Sequence, residues 1–347
     1  MLILGIETSC DETAAAVVED GSLVKSNVLF SQEEIHSRFG GVVPELACRR
    51  HVTVIHIVVE AALRQAGVEA ADLSAIAVTQ GPGLVGALLI GVCYAKGLAY
   101  QCQRPLIAVN HLEGHMAAIQ LDPASSSERM RDFPLIALLV SGGHTHLYHV
   151  AGVGEYRLLG RTIDDAAGEA FDKAAKMLGL GFPGGTNMDR MAMEGNPGAI
   201  EFPRPHPAKG TYDFSFSGLK TALKYYLERQ HDLERSRIAD IAASFQQAIV
   251  DVLVHKSLAA IRQYRAKGLL VAGGVAANSA LRRTLQSHCD QMGFPLLIPP
   301  PALCTDNGAM IAAAGYHHYR NPPQAEKREG SFLSLSPVAY LPLGEPL

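Results

Sequence analysis

Charge is scarce in this chain, and paired cysteine is absent. Only 18% of the 347 residues are charged, 48% are apolar, and the formal net charge is −4. That balance excludes a disordered chain and a broadly basic nucleic-acid coat, while leaving room for a local basic patch. Six cysteines (Cys10, Cys48, Cys93, Cys102, Cys289 and Cys304) are scattered with no C-x-x-C pair among them. The pattern excludes a disulfide framework and fits a reducing compartment. Met1-Leu2-Ile3-Leu4-Gly5-Ile6-Glu7 has no basic region leading to an apolar core and cleavage site, so it does not read as a signal peptide. The most apolar run, residues 81–100, carries Pro82, Lys96 and several glycines and reads as short of a membrane span. A cytoplasmic protein with no membrane partner is expected, long enough for two domains with a core in each.

What is present is a pattern that occurs twice. A strand-like run, Leu2–Glu7, is followed by the polar turn Thr8-Ser9-Cys10-Asp11-Glu12-Thr13, a strand over 14–18 and another over 22–30, which reads as a hairpin. A helix is expected over 45–66, a strand over 73–79, a helix from Gly83 to Tyr100, and a strand over 106–109. Residues 122–134, rich in Ser, Arg and Asp, read as a linker. Beyond it the opening pattern returns, with a strand Leu135–Val140, the turn Ser141-Gly142-Gly143-His144-Thr145 and a strand over 146–150. A helix over 169–178, a loop over 179–186 and helices over 219–229 and 238–266 follow. Strands Leu269–Ala272 and 296–299, a helix from Asn278 and a last one over 309–316 complete the chain. Two similar βαβ lobes, each fronted by a hairpin, predict an α/β bilobal fold with a cleft between them. The lobes are placed at 1–128 and 133–347, with the final helix, from about 307, a candidate to pack back on the first lobe.

The chemistry concentrates at Asn110-His111-Leu112-Glu113-Gly114-His115. On a helix His111 and His115 stand one turn apart, their Cβ atoms about 6 Å from each other, which suits two imidazoles on one metal ion. Two histidines on a helix surface satisfy the same spacing. Glu113 is rotated about 200° from His111. Metallopeptidases of the H-E-x-x-H and inverted types place glutamate directly after the first histidine or directly before the second, and this chain does neither. Asp306, in Thr305-Asp306-Asn307-Gly308, is either a helix cap or a carboxylate that completes a metal set with open positions. Glycine-bearing or polar turns at Thr8 to Thr13, Ser141 to Thr145, and Gly273-Gly274 before Asn278 are tight turns or phosphate sites, and three together favour a nucleotide. Asn278 at a helix start also reads as an N-cap.

Taken together these motifs, with Thr79-Gln80-Gly81-Pro82-Gly83-Leu84 and Asp213-Phe214-Ser215-Phe216-Ser217-Gly218-Leu219-Lys220-Thr221, resemble the bacterial tRNA adenosine threonylcarbamoyltransferase family (TsaD) over nearly the whole length. The resemblance implies the actin-like ATPase fold shared with sugar kinases, heat-shock proteins and actin. It implies transfer of a threonylcarbamoyl group from threonylcarbamoyl-AMP to N6 of adenosine 37, in tRNAs reading codons that begin with A. It also implies an iron or zinc ion on His111, His115 and Asp306, and a substrate site at Val140, Ser141, Gly142, Gly143, His144, Asp172, Gly185, Asp189 and Asn278. Asp11 and Glu12 are candidate proton acceptors, and the implied partners are tRNA, a paralogous TsaB-like protein and a small TsaE-like ATPase. Thr186 stands where the resemblance leads one to expect proline, and Cys48 where it leads one to expect serine. Basic residues Arg38, Arg49, Arg50, Arg204, Lys209, Lys220 and Lys224 are candidates for phosphate contact, or simply a solvated surface. The competing expectation is an ATP-hydrolysing or phosphotransfer enzyme of the same superfamily, with Glu7 near the phosphates.

Overall fold

The computed structural model describes residues 1–122, 132–205, 210–230, 233–321 and 331–344. Contacts divide the chain into two compact units, Met1–Met130 with Thr305–Leu347, and Arg131–Cys304. The first boundary falls inside the stretch 122–134 read as a linker, most of which lies outside the described residues. The second boundary puts residues from Thr305 onward with the first unit rather than in the 133–347 lobe, in line with the final helix, from about 307, being a candidate to pack back on the first.

In chain order the first unit has β1 (Leu2–Glu7), β2 (Glu12–Glu19), β3 (Leu23–Ser31), α1 (Glu33–Ser37), α2 (Pro44–Ala66), β4 (Ala75–Gly81), α3 (Val85–Cys102), β5 (Leu106–Asn110) and α4 (His111–Ala117). The second has β6 (Leu135–Val140), β7 (Thr145–Gly152), β8 (Glu155–Arg161), α5 (Ala167–Met177), α6 (Gly184–Ala192), α7 (Ser217–Leu227), α8 (Arg235–Tyr264), β9 (Leu269–Ala272), α9 (Ser279–Met292) and β10 (Leu296–Leu297). The chain then returns to the first unit with α10 (Gly308–Arg320).

The two sheets share one topology. Among the described residues the first runs β3-β2-β1-β4-β5, and the second, read from its far edge, runs β8-β7-β6-β9-β10. In each, three strands pair antiparallel and two more add in parallel beside the first of them. The central strands β1 and β6 are almost wholly apolar and buried, as strands covered on both faces must be. Strand β8 and helix α6 were not expected from the sequence. The first is an edge strand in which exposed and partly buried residues alternate, and the second begins at the Gly184-Gly185 pair read as loop.

Small residues bring α10 onto the first sheet. A Cβ on Gly5 of β1 would stand 2.2 Å from the Gly308 carbonyl oxygen and 2.4 Å from the Ala312 nitrogen. Gly308 in turn lies against the backbone of Ala15 and Ala16, where a Cβ would stand 2.5 Å from two backbone atoms. Only glycine permits backbones to approach this closely. In the second unit the long α8 supplies the core, with Phe245, Ile249 and Leu253 packed among Phe171, Phe214 and Phe216.

Two helices, Val85–Cys102 and Arg235–Tyr264, are long and apolar enough to cross a membrane by length and composition. Helix α3 corrects the expectation for residues 81–100, since Pro82 precedes its first turn and does not interrupt it. The apolar stretch of α8 is 72% buried, as the core helix of a folded unit would be. Helix α3 packs on α2 and β4. The cysteines are free thiols, and Cys48, at the serine position of the resemblance, lies against Gly86 of α3.

Candidate metal centre

Strand β5 ends at Asn110, whose side chain accepts a hydrogen bond from the Leu112 N–H at 2.9 Å and so starts α4 without a connecting loop. Every residue of α4 is buried. His111 and His115 therefore project from one face inside the protein, ring centroids 4.7 Å apart, and are not surface histidines. The Asn110 amide also donates to the Leu341 carbonyl at 3.1 Å, and the Val338 N–H donates to the Gln80 carbonyl at 2.8 Å, so the last described segment straps the ends of β4 and β5.

Asp306 reaches the pair from the segment before α10. The helix cap is its neighbour, since the Asn307 side chain accepts from the Met310 N–H at 2.9 Å. Asp306 Oδ1 lies 3.2 Å from His115 Nε2 and 3.6 Å from His111 Nε2. The ligand atoms of His111, His115 and Asp306 all fall within 4.8 Å of one another. His115 is buried, and neither of its ring nitrogens makes a hydrogen bond, so its contact with Asp306 is not aligned as one. A buried imidazole left in this state, beside a second imidazole and a carboxylate, fits a single divalent metal ion of the iron or zinc type. Burial acts to lower the His111 pKa, but the carboxylates of Asp306 and Glu7 outweigh it and raise the value to about 9.

Glu7 was expected near phosphates only under the competing phosphotransfer reading. Its carboxylate is fully buried and lies 3.0 Å from His111 Nδ1, with Thr79 Oγ1 donating to it at 2.6 Å and the Ser9 N–H donating to its other oxygen. Glu113 is buried against α10, where it meets His318 Nε2 at 2.8 Å. It is paired there as a structural contact, and the peptidase base remains missing.

The turn after β1 holds Asp11 and Glu12 in the same electrostatic field as Asp306. Burial, then the charge of Asp11, pushes the Glu12 carboxyl up to about 8, with Asp306 adding to the effect and a hydrogen bond from Ser31 opposing it. Burial likewise pushes the Cys10 thiol up, with Asp11 and Asp306 assisting, so it stays protonated and is not a nucleophile. The turn is braced by buried His51, whose ring nitrogens meet Thr13 Oγ1 at 2.8 Å and the Cys10 carbonyl at 2.9 Å. Between the usual 4.5 and about 8 the folded state keeps a proton on Glu12 that the unfolded state releases, so this contribution to stability is full below that window and is lost as pH rises through it. Glu12→Gln is expected to lose less stability than the parent between about pH 5 and about pH 9 in thermal melts. An equal decline in both proteins would show that Glu12 does not titrate in this way.

In the second unit the residues of the implied substrate site are tied to one another. The turn between β6 and β7 is closed by the Ser141 N–H on the His144 carbonyl at 2.8 Å, and no atom stands within 4 Å of a Cβ added at Gly142 or Gly143. Gly273, at φ +91°, passes so near Val140 that a Cβ would stand 2.3 Å from its carbonyl oxygen. Asp172 Oδ1 accepts from the N–H groups of Gly184 at 2.9 Å and Gly185 at 3.3 Å, fixing the start of α6. Asp189 accepts from Ser279 Oγ at 2.8 Å and the Ser279 N–H at 3.1 Å. Asn278 caps α9 and donates to buried Gln246 Oε1 at 2.6 Å. Gln246 was not anticipated, and its one signal is an amide on the buried face of an amphipathic helix. His146 meets the Tyr148 hydroxyl at 2.9 Å, and burial, then Arg161, lowers its pKa to about 4.

Of the candidate phosphate-contact residues, Arg204 pairs with Asp251, Lys220 with Asp165 and Lys224 with Glu228, and Arg50 stacks over Phe30. Arg38 and Arg49 lie on or near the surface, and Lys209 lies outside the described residues.

Two sheets of one topology, with a His-His-Asp group whose two histidines are buried in α4 of the first unit, define an α/β protein of the actin-like ATPase fold with a candidate metal centre. Solved structures of similar fold include that of T. kodakarensis HypF, at TM-score 0.60 and 13% identity, covering 92% of this chain and 48% of that one. Another is component A of the Acidaminococcus fermentans (R)-2-hydroxyglutaryl-CoA dehydratase, at TM-score 0.54 and 14% identity, covering 92% of this chain and all of that one. At such identities the likeness concerns the fold alone. The family model for tRNA N6-adenosine threonylcarbamoyltransferase (TsaD) matches residues 24–313. Relatives bearing that name include a Syntrophotalea carbinolica protein, 54% identical with 91% of each chain covered. A Thermomicrobium roseum protein of the same name is 51% identical, covering 99% of this chain and 97% of its own. The chain belongs to the TsaD family of tRNA-modifying transferases.

Proposed function

We propose that the chain transfers the threonylcarbamoyl group of threonylcarbamoyl-AMP to N6 of adenosine 37, 3′ to the anticodon, in tRNAs that read codons beginning with A, and releases AMP. The family match over residues 24–313 carries the proposal. The His-His-Asp group supports it, since one iron or zinc ion held by His111, His115 and Asp306 would supply a Lewis acid for the carbonyl under attack. The adenylate is assigned to Val140, Ser141, Gly142, Gly143, His144, Asp172, Gly185, Asp189 and Asn278, with the adenosine near Gly185 and Asn278. The bonds that fix α6 and α9 through Asp172, Asp189 and Asn278 would hold the backbone N–H groups of both helix starts in place for it. The open space over Gly142, Gly143 and Gly185 leaves room for close approach of a ligand.

Asp11 and Glu12 are assigned the proton lost from the adenine amine. With Glu12 raised to about 8, the rate is expected to climb with pH through that value, and Glu12→Gln to flatten the limb. An unaltered profile in Glu12→Gln, or a full rate in Asp11→Ala, would remove that residue from the role. The partners proposed are tRNA, a TsaB-like paralogue and a TsaE-like ATPase, in the cytoplasm. Helix α3, with Val85, Leu89 and Tyr100 exposed, is the docking face assigned to the paralogue.

The deciding experiment incubates the purified chain with threonylcarbamoyl-AMP and tRNA, with and without metal and partners. Modified adenosine and an equivalent of AMP are expected. ATP hydrolysis with no carbamoylated product would replace this assignment with the phosphotransfer one.

A further inference from the structure

We propose that Glu7 is a positioning residue of the metal centre, its buried carboxylate holding His111 by Nδ1 so that Nε2 of the same ring faces Asp306 and His115. This rests on the metal assignment above and extends it to a residue outside the ligand group. The register of three neighbouring strands delivers the parts. Ile6 of β1 pairs with Val78 of β4, which sets Glu7 beside Thr79, and Thr79 pairs with Val109 of β5, two residues before His111.

A carboxylate can only accept, so the 3.0 Å contact makes His111 Nδ1 the donor. The Ser9 hydroxyl, 3.2 Å from the same nitrogen, is a weaker neighbour. With its proton on Nδ1, a neutral imidazole presents the lone pair of Nε2, and that nitrogen is the one 3.6 Å from Asp306 Oδ1. The carboxylate is itself fixed. Thr79 Oγ1 donates to the oxygen that faces His111, and the Ser9 N–H donates to the other. Glu7 is fully buried, so it presents no surface to a phosphate. A charged group enclosed in this way needs a partner of this kind, and the arrangement is that of a carboxylate orienting a metal-binding histidine.

Glu7→Gln keeps the shape and exchanges one acceptor for a donor. A carboxamide N–H directed at His111 Nδ1 would place the ring proton on Nε2, where it blocks ligation. The zinc dissociation constant, measured by competition with a chromophoric chelator, is expected to rise about 10–100-fold in Glu7→Gln, with an altered visible spectrum of the cobalt form and unchanged melting of the metal-free protein. His115→Ala, measured alongside, separates the two assignments. If His115→Ala loses zinc and Glu7→Gln binds like the parent, the role of Glu7 is overturned and the metal centre stands. If His115→Ala binds like the parent, the metal centre itself is overturned. Should Glu7→Gln not fold, Thr79→Val releases one side of the carboxylate and is expected to weaken zinc about threefold or more. An unchanged constant there overturns the proposal.

Discussion

Asp306→Ala is expected to leave the purified protein with almost no iron or zinc and to lower threonylcarbamoyl transfer by roughly a thousandfold. The carboxylate is one of three groups whose ligand atoms lie within 4.8 Å of one another, and no other His, Cys or Asp/Glu joins that cluster among the described residues. Lewis-acid polarisation of a carbonyl contributes several kcal/mol to a transition state, and about 4 kcal/mol corresponds to the loss stated. Metal content by mass spectrometry and single-turnover transfer on the same preparation check it. Asn307→Ala is the contrast, because Asn307 caps α10 while Asp306 faces the histidines. Losing the cap is expected to cost about 1 kcal/mol of stability and to leave the metal in place. Full transfer by metal-free Asp306→Ala would remove the metal from the chemistry.

Gly5→Ala is expected to cause a large loss of stability. The atoms a Cβ would strike belong to the backbone of α10, the Gly308 oxygen at 2.2 Å and the Ala312 nitrogen at 2.4 Å, so no side chain can turn aside. Overpacking of this kind costs about 3 kcal/mol or more. For 347 residues unfolding together, about 3 kcal/mol corresponds to a fall of roughly 4 °C in melting temperature. Displacing α10 also displaces Asp306 at its foot, so zinc affinity should fall with stability. Gly97→Ala, in α3 with open space around the site, is the control and is expected to stabilise by about 0.5–1 kcal/mol. Equal melting of Gly5→Ala and the parent would mean that α10 does not depend on that close approach.

Local pattern made much of this legible. The two hairpins announced themselves by a polar turn between apolar runs, and β6 and β9 fall where periodicity places them. The one-turn spacing of His111 and His115 pointed to a shared face, which burial of all of α4 then supplies. Other features depend on contacts between distant residues, which spacing does not encode. The return of the final helix to the first unit was a candidate from the sequence, but the glycine contacts that hold α10 there join positions about three hundred residues apart. The Gly184-Gly185 pair looked like loop because the Asp172 carboxylate that starts α6 there lies twelve residues earlier. Asp306 and Asn307 are equivalent as caps in sequence, and only coordinates show which of the two does the capping. Glu7 gave one faint signal, an acidic residue ending a buried strand, whose purpose needs β4 and β5 beside it.

Because the first unit is built from segments on either side of the second, its synthesis spans that of the second. A nascent chain that has emerged as far as Cys304 contains every residue of the second unit and both histidines, yet lacks Asp306 and the helix that crosses β1. The N-terminal sheet must wait, one face uncovered, until translation has passed the whole intervening unit. Residues 308–320 pack on that sheet, and Asp306 lies just before them. A metal held by the three groups would thereby wait until the second unit has been made, and a chain terminated before Thr305 carries the histidine pair without the carboxylate.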